Sequence, residues 1–302
     1  MWFKNVTVFQ LTNPFRVSIE SLDEKLSRRA ARDCGPLELS TLGWSSPLEN
    51  GTALTLSIND TILITARKSE KILPATVVRE ELNKRIAEIE SSEEREVKGK
   101  ERQRLREEIT VEMLPRAFAR SRNTYALIDP ENGWLLVDTA SRTRAEELTV
   151  LLRETLGSLE ITNPETELSP TGAMSQWLFH DTPPAGFTID DECEIRENSE
   201  HGGIIRCKNI DVTQDSVRKH LESQSHVVRL AMSWNDRLSF ILDQDLTIRR
   251  ICPLELVDNL REETRDEEDE ELFFIADMML FQGEISELLK RLFELLSSKQ
   301  NS

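Results

Sequence analysis

"TLSINDTILITARK" occupies Thr55–Lys68 and reads as two β-rich runs folded about Asn59 and Asp60. Apolar and branched residues alternate with polar ones on both sides of that pair, which is a hairpin signal. "TYALIDPENGWLLVD", Thr124–Asp138, repeats the design, with Asp129 to Gly133 as the turn. Alternation of this kind predicts half-buried antiparallel strands. A helix is expected next, roughly from Thr143 to Leu156, with Leu148, Leu151, Leu152 and Thr155 on one side. Gly157 stands where a left-handed cap is needed.

The stretch between the two hairpins has another character. After Pro74, Val78, Leu82, Ile86 and Ile89 recur at helical spacing, as do Leu105, Ile109 and Met113 further on. The apolar beat lapses near Ser91, Ser92 and Gly99. This predicts an αα-hairpin standing out from the sheet, with helices of about 27 Å if each has roughly 18 residues.

Beyond the linker-like "ITNPETELSPTG" (Ile161–Gly172), "GGIIRCKNIDV" reads as a strand entered through Gly202 and Gly203. "DSVRKHLES" (Asp215–Ser223) is a short helix. "HVVRLAMSW", "RLSFILD" and "LTIRRIC" form a meander with turns at Asn235-Asp236 and Asp243-Gln244-Asp245. A long helix, "LFFIADMMLFQGEISELLKRLFELL", closes the chain. No repeat of fixed period occurs. The expected fold class is α+β, antiparallel β-sheets with packed helices. The expected domains are a β-rich centre (residues 1–73 and 116–160), a helical finger (74–115) and a C-terminal α+β base (161–302).

At 302 residues the chain is long enough for about two domains and a sizeable core. No apolar run of about 18 residues exists, which excludes a helical membrane span. "MWFKNVTVFQL" at the start lacks the pattern of a signal peptide, so a cytoplasmic protein is expected. Cys34, Cys193, Cys207 and Cys252 form no CxxC pair and read as reduced, mostly buried thiols. His180, His201, His220 and His226 have no metal-binding spacing. Neither a metal nor a cofactor is expected. A nucleophile motif, a phosphate loop and a dinucleotide fingerprint are all lacking, so no catalytic constellation emerges.

The net charge of -17 argues against nucleic acid, yet phosphate responds to a local field. From Arg95 to Arg122 nine bases meet five acids, whereas Glu255 to Leu272 holds ten acids and two bases. The acidic "EETRDEEDEE" (Glu262–Glu271) is better read as a solvated face or loop than as a metal site. The basic pole has two readings. Lys and Arg mixed with Glu at helical spacing form an ordinary ion-paired helix. "LPRAFARSR" (Leu114–Arg122), however, sets Phe118 among Arg116, Arg120 and Arg122, a pattern that can stack on bases while neutralising phosphates. Phe118 could equally be a strand residue turned into the sheet.

"MWFKN", "ARKSEKILP", "MLPRAF", "LLRETLGSL" and "GGIIRCK", in this order over roughly residues 1 to 250, resemble the RdgC family of recombination-associated proteins. The acidic run departs from the family pattern. The resemblance implies a nucleoid-associated protein that binds double- and single-stranded DNA without sequence preference and limits RecA-promoted recombination. It also implies a homodimer closed into a ring around DNA. Positions matching basic family motifs are Arg67, Lys68 and Lys71, Arg116, and Arg206 and Lys208. Arg95, Lys98 and Lys100 match by charge, and Phe118 and Arg120 complete the candidate DNA-binding set. The alternative is a protein-interaction factor that acts on RecA or another basic partner through its acidic C-terminal region.

Overall fold

The hairpin about Asn59 and Asp60 forms because Asn59 accepts a left-handed φ of 49°, a conformation that Asn tolerates better than most residues. It joins β3 (Thr55–Ile58) to β4 (Thr61–Ile72) in the computed structural model, which describes residues 2–198, 202–221, 225–263 and 269–297. Met1, His201, Glu222, Ser223 and residues 264–268 of the acidic run named above lie outside the described residues.

The remaining strands are β1 (Asn5–Leu11), β2 (Ser40–Ser45), β5 (Phe118–Asp129), β6 (Trp134–Val137), β7 (Ile161–Thr162), β8 (Phe187–Glu197), β9 (Ile204–Lys208), β10 (Ser225–Trp234), β11 (Leu238–Asp243) and β12 (Ile248–Pro253). The helices are α1 (Ile19–Ser27), α2 (Ala75–Glu93), α3 (Gly99–Met113), α4 (Arg142–Leu156), α5 (Pro170–His180), α6 (Asp215–Leu221), α7 (Glu255–Glu263) and α8 (Glu270–Ser297). The strands form one antiparallel sheet in the order β2-β4-β5-β6-β1-β12-β11-β10-β8-β9, with β3 also on β4 and β7 also on β1. The fold is therefore α+β with a large antiparallel sheet.

β1 is the hinge of this topology. It pairs with β6 through Thr7↔Val137 and with β12 through Asn5↔Arg249, so the first strand joins the two halves of the sheet. Its side chains alternate between two cores. Val6 and Val8 join the larger one, built on α5 and α8, while Phe9 joins a second under α1 and α4. Val78, Leu82, Ile86 and Ile109 make a third, small cluster between α2 and α3.

The expected elements recur with specific corrections. α4 ends at Gly157, whose φ of 86° supplies the left-handed cap. The linker-like stretch is shorter than expected, because Ile161 and Thr162 pair with β1 and Ser169 caps α5 with Pro170 in its first turn. Cys193 and Cys207 are buried opposite one another, but Cys252 is exposed. Burial, followed by the neighbouring Cys207, pushes the Cys193 thiol up to about 12, as befits an inert core thiol. Asp277, which interrupts the apolar run of α8, is fully buried and hydrogen-bonded rather than turned to solvent.

Candidate nucleic-acid interface

Beyond β1, the helices α5 and α8 cover one side of the sheet only. The other side, continuous with the α1–α4 side through Asn5 and Arg249, carries no helix-packed apolar cluster over β8–β12 among the described residues. Strand alternation turns Glu192, Glu194 and Arg196 of β8 toward it, because Cys193 and Ile195 point into the core. Arg206 and Lys208 of β9, Arg229 of β10, Asp243 of β11 and Arg249 of β12 share the same face by register.

Ion pairs tie these residues into one band. Glu194 accepts hydrogen bonds from Arg196 at 2.9 Å, Arg206 at 2.8 Å and Arg229 at 3.3 Å. Asp243 accepts from Arg229 at 2.9 Å and Arg249 at 2.7 Å. Glu192 holds Lys208 at 3.3 Å and also pairs with Arg250. The two central carboxylates are only 5% and 6% exposed, whereas the Arg206 side chain is 61% exposed. Burial pushes Glu194 upward, but bonds from Arg206 and Arg196 and the charge of Arg229 carry it below the usual carboxylate range. Six cations over three acids leave a positive surface with its guanidiniums held in place from beneath.

Arg250 reaches this face by an irregularity. The β11–β12 register shifts between Ser239 and Ile241, and Arg250 has a φ of 49°. A bulge of this sort sets consecutive side chains on one side, so Arg249 and Arg250 both serve the band while Ile248 and Ile251 stay in the core.

The other half of the same side carries a second cationic group. Lys68↔Arg122, Glu70↔Arg120 and Ile72↔Phe118 are cross-strand pairs on the outer ends of β4 and β5. Lys68 pairs with Glu147 of α4 at 2.6 Å, and Arg120 approaches Glu70 at 3.8 Å. Burial and the charge of Arg122 lower the pKa of Arg144, which sits nearby on α4. Phe118 opens β5 and is 85% exposed, so it is no core residue.

Asp138 lies between the two groups, where the backbone of Asn5 donates to it at 3.5 Å. Burial raises its pKa from the ordinary 3.8 to about 6, only partly offset by backbone hydrogen bonds and by Arg144. The folded chain therefore keeps this proton longer than the unfolded one. Its stabilising contribution is full below about pH 4 and lost as pH rises through about 6. Asp138→Asn should match the native chain near pH 4 and exceed it by roughly 2–3 kcal/mol near pH 7 in denaturant titrations.

The sequence-derived candidates fall into separate places. Arg206, Lys208, Lys68, Arg120 and Phe118 share the side just described. Arg67 and Lys71, odd-numbered on β4, point to the opposite side. There Arg67 meets Asp33 at 3.3 Å and lines a cavity of about 620 Å³ beside Glu49, Glu270 and Glu271, while Lys71 donates to the Ala117 carbonyl. Arg95 is clamped by Glu93 and Glu101, each at 2.6 Å. Lys98 and Lys100 are exposed at the start of α3, and Arg116 is exposed in the turn before β5. Sequence reasoning missed Arg196, Arg229, Arg249 and Arg250. Their signal is an Arg set within otherwise apolar β runs, as in "VVRLAM" and "TIRRIC".

Comparison with known proteins agrees with this chain's ordered motifs. The family model described as "Putative exonuclease, RdgC" matches residues 1–299. A protein named Recombination-associated protein RdgC from Aeromonas hydrophila is 39% identical over 305 residues, covering 100% of both chains. Proteins of the same name from Cupriavidus pinatubonensis and Pseudomonas aeruginosa are 37% and 38% identical, with at least 98% of each chain covered. From end to end, then, this chain belongs to the RdgC family.

Proposed function

We propose that this chain is a non-enzymatic, nucleoid-associated protein that binds double- and single-stranded DNA without sequence preference and limits RecA-promoted recombination. The observation that carries this reading is the band of guanidiniums across the sheet face. Phosphate is the ligand such a band suits, since it offers many donors and a positive field but no element shaped to read base edges. In this reading two copies close into a ring whose positive sides line the hole, and the acidic surfaces face outward. The domain division into residues 1–73 with 116–160, 74–115 and 161–302 follows the same proposal, with the α2–α3 pair as a protruding finger.

The family description also raises a nuclease. Among the described residues no group of three or more His, Cys, Asp or Glu side chains is placed to hold a metal ion. A magnesium-dependent cleavage assay on linear duplex tests that activity directly. The acidic C-terminal region favours a second reading, a docking surface for RecA or another basic partner, because Leu256 and Leu260 are exposed beside the acids of α7. No helix among the described residues is long and apolar enough to cross a membrane.

The ring has a topological test. On a covalently closed circle, high salt screens the phosphate contacts, but release still requires the dimer to open. Linearising the circle should then free the protein quickly. Equal release rates from circle and linear DNA would reduce the assembly to a groove binder.

Phe118 has its own test. Because it is exposed, Phe118→Ala should change stability by less than about 0.5 kcal/mol. If its ring stacks on bases or wedges between them, the same change weakens DNA binding by roughly 1–3 kcal/mol. A melting curve and a binding isotherm on one variant separate the two quantities. Unaltered DNA affinity would remove Phe118 from the interface.

A further inference from the structure

The cleft between α2 and α3 is lined by Ala75, Thr76, Arg79 and Leu82 from α2 and by Gly99, Arg102, Gln103 and Arg106 from α3. Its volume is about 370 Å³, and no carboxylate is among its lining residues. Arg102 and Arg106 are one turn apart on the same face of α3, and Gly99, one turn earlier, leaves that end of the wall bare. We propose that this cleft binds the phosphates of a single nucleic-acid strand, as a site distinct from the sheet face.

Acidic side chains are plentiful on α2 and α3, and they pair with several of the cations that lie away from the cleft. Arg85 pairs with Glu112 at 3.2 Å, Arg95 with Glu101 at 2.6 Å and Arg104 with Glu108 at 2.9 Å. Arg102 instead donates to the neutral Asn83 amide at 3.3 Å. Among the described residues Arg79 and Arg106 make no ion pair. Three guanidiniums facing one cleft without a counter-charge repel each other, and an anion between them converts that repulsion into attraction.

Two features select the anion. Converging guanidinium forks offer more donors than the two oxygens of a planar carboxylate can accept, whereas a tetrahedral phosphate can meet several at once. The size of the cleft then excludes a duplex. A cavity at the low end of the small-molecule range admits one backbone with its sugar, and Gln103 supplies a neutral amide beside it. The inference rests on the DNA-binding reading and adds to it a place where one strand is held apart from the duplex.

The test uses the intact chain and a labelled single strand of about 12 nucleotides, titrated over a range of salt. The double variant Arg79→Ala, Arg106→Ala removes exposed side chains and should leave the circular dichroism and Tm unchanged. Strand affinity should fall about tenfold. The slope of log affinity against log salt should drop by about 1.4, for two lost single-strand phosphate contacts. Affinity for a duplex of the same length should change less than about twofold. Unchanged strand affinity and slope, with normal duplex binding, would overturn the cleft alone. Loss of strand binding with Arg79 and Arg106 in a protein whose native form ignores duplex would uphold the cleft and overturn the sheet-face reading. A glutamate-rich peptide that displaces the strand at lower concentration than inorganic phosphate or free oligonucleotide would reassign the cleft to an acidic protein partner. A strand with a 5′-phosphate that binds far better than the same strand without it would assign the site to a terminal phosphate rather than the backbone.

Discussion

Replacing Asp277 with alanine should lower stability by about 3–5 kcal/mol, the cost of breaking a buried charge pair by removing one partner. Asp277 is fully buried on α8, where it accepts from Trp2 Nε1 at 2.6 Å and from Arg261 Nε at 2.6 Å. The Arg261 guanidinium also lies 5.1 Å from the centre of the Trp2 ring. Burial raises the pKa of the carboxyl, and hydrogen bonds, first of them from Arg261, together with neighbouring positive charge outweigh that rise and leave it below the ordinary value. One carboxylate therefore joins the N-terminal segment, α7 and α8. Its loss removes the acceptor of the Trp2 indole N–H and the main carboxylate partner of the mostly buried Arg261 guanidinium, which also donates to Asp258 at 3.1 Å. Trp2 and Phe3, packed on Phe281 at 5.3 and 4.9 Å, would lose their anchor as well. Denaturant titration measures the change. A loss under about 1 kcal/mol would mean that the three elements are held by apolar contact alone.

The second large effect concerns salt. If the positive side of the sheet neutralises six to ten phosphates, DNA affinity should fall roughly 10³- to 10⁵-fold between about 50 and 200 mM salt. The available groups are the six cations over Glu192, Glu194 and Asp243, together with Lys68, Arg120, Arg122 and Arg144. Several are already paired with carboxylates, which places the expected value at the lower end of that range. Unrelated duplexes of equal length should bind with near-equal affinity, because the contacts are to phosphate. A shallow salt dependence, or a strong preference for one sequence, would rule out the sheet face as the main contact.

Local signals in the sequence carried much of the architecture. The alternation around Asn59 and Asp60 and the turn before Gly133 announce strands with defined faces. The apolar spacing of Val78, Leu82 and Ile86 announces a helix. Short-range chemistry decides such features, and short-range chemistry is written in neighbouring residues. Such signals are weaker for α1, α5 and β8. β8 mixes acids with apolar residues in "FTIDDECEIRE", so its alternation is legible only once its partners β9 and β10 are known.

By itself the sequence determined the family, the antiparallel strands and the local gathering of charge near Arg95–Arg122. Only the tertiary structure decided which charges act together. Arg67 and Lys68 are neighbours in sequence but lie on opposite sides of β4, since strand side chains alternate. Arg206 and Arg249 are 43 residues apart in sequence, yet one band of ion pairs through Glu194, Arg229 and Asp243 connects them. Within the basic segment that dominates the sequence, Arg95 is neutralised by Glu93 and Glu101. Cations from β4, β5, β8, β9, β10 and β12 share one side of the sheet, because sheet pairing, not sequence proximity, sets the distances between charges.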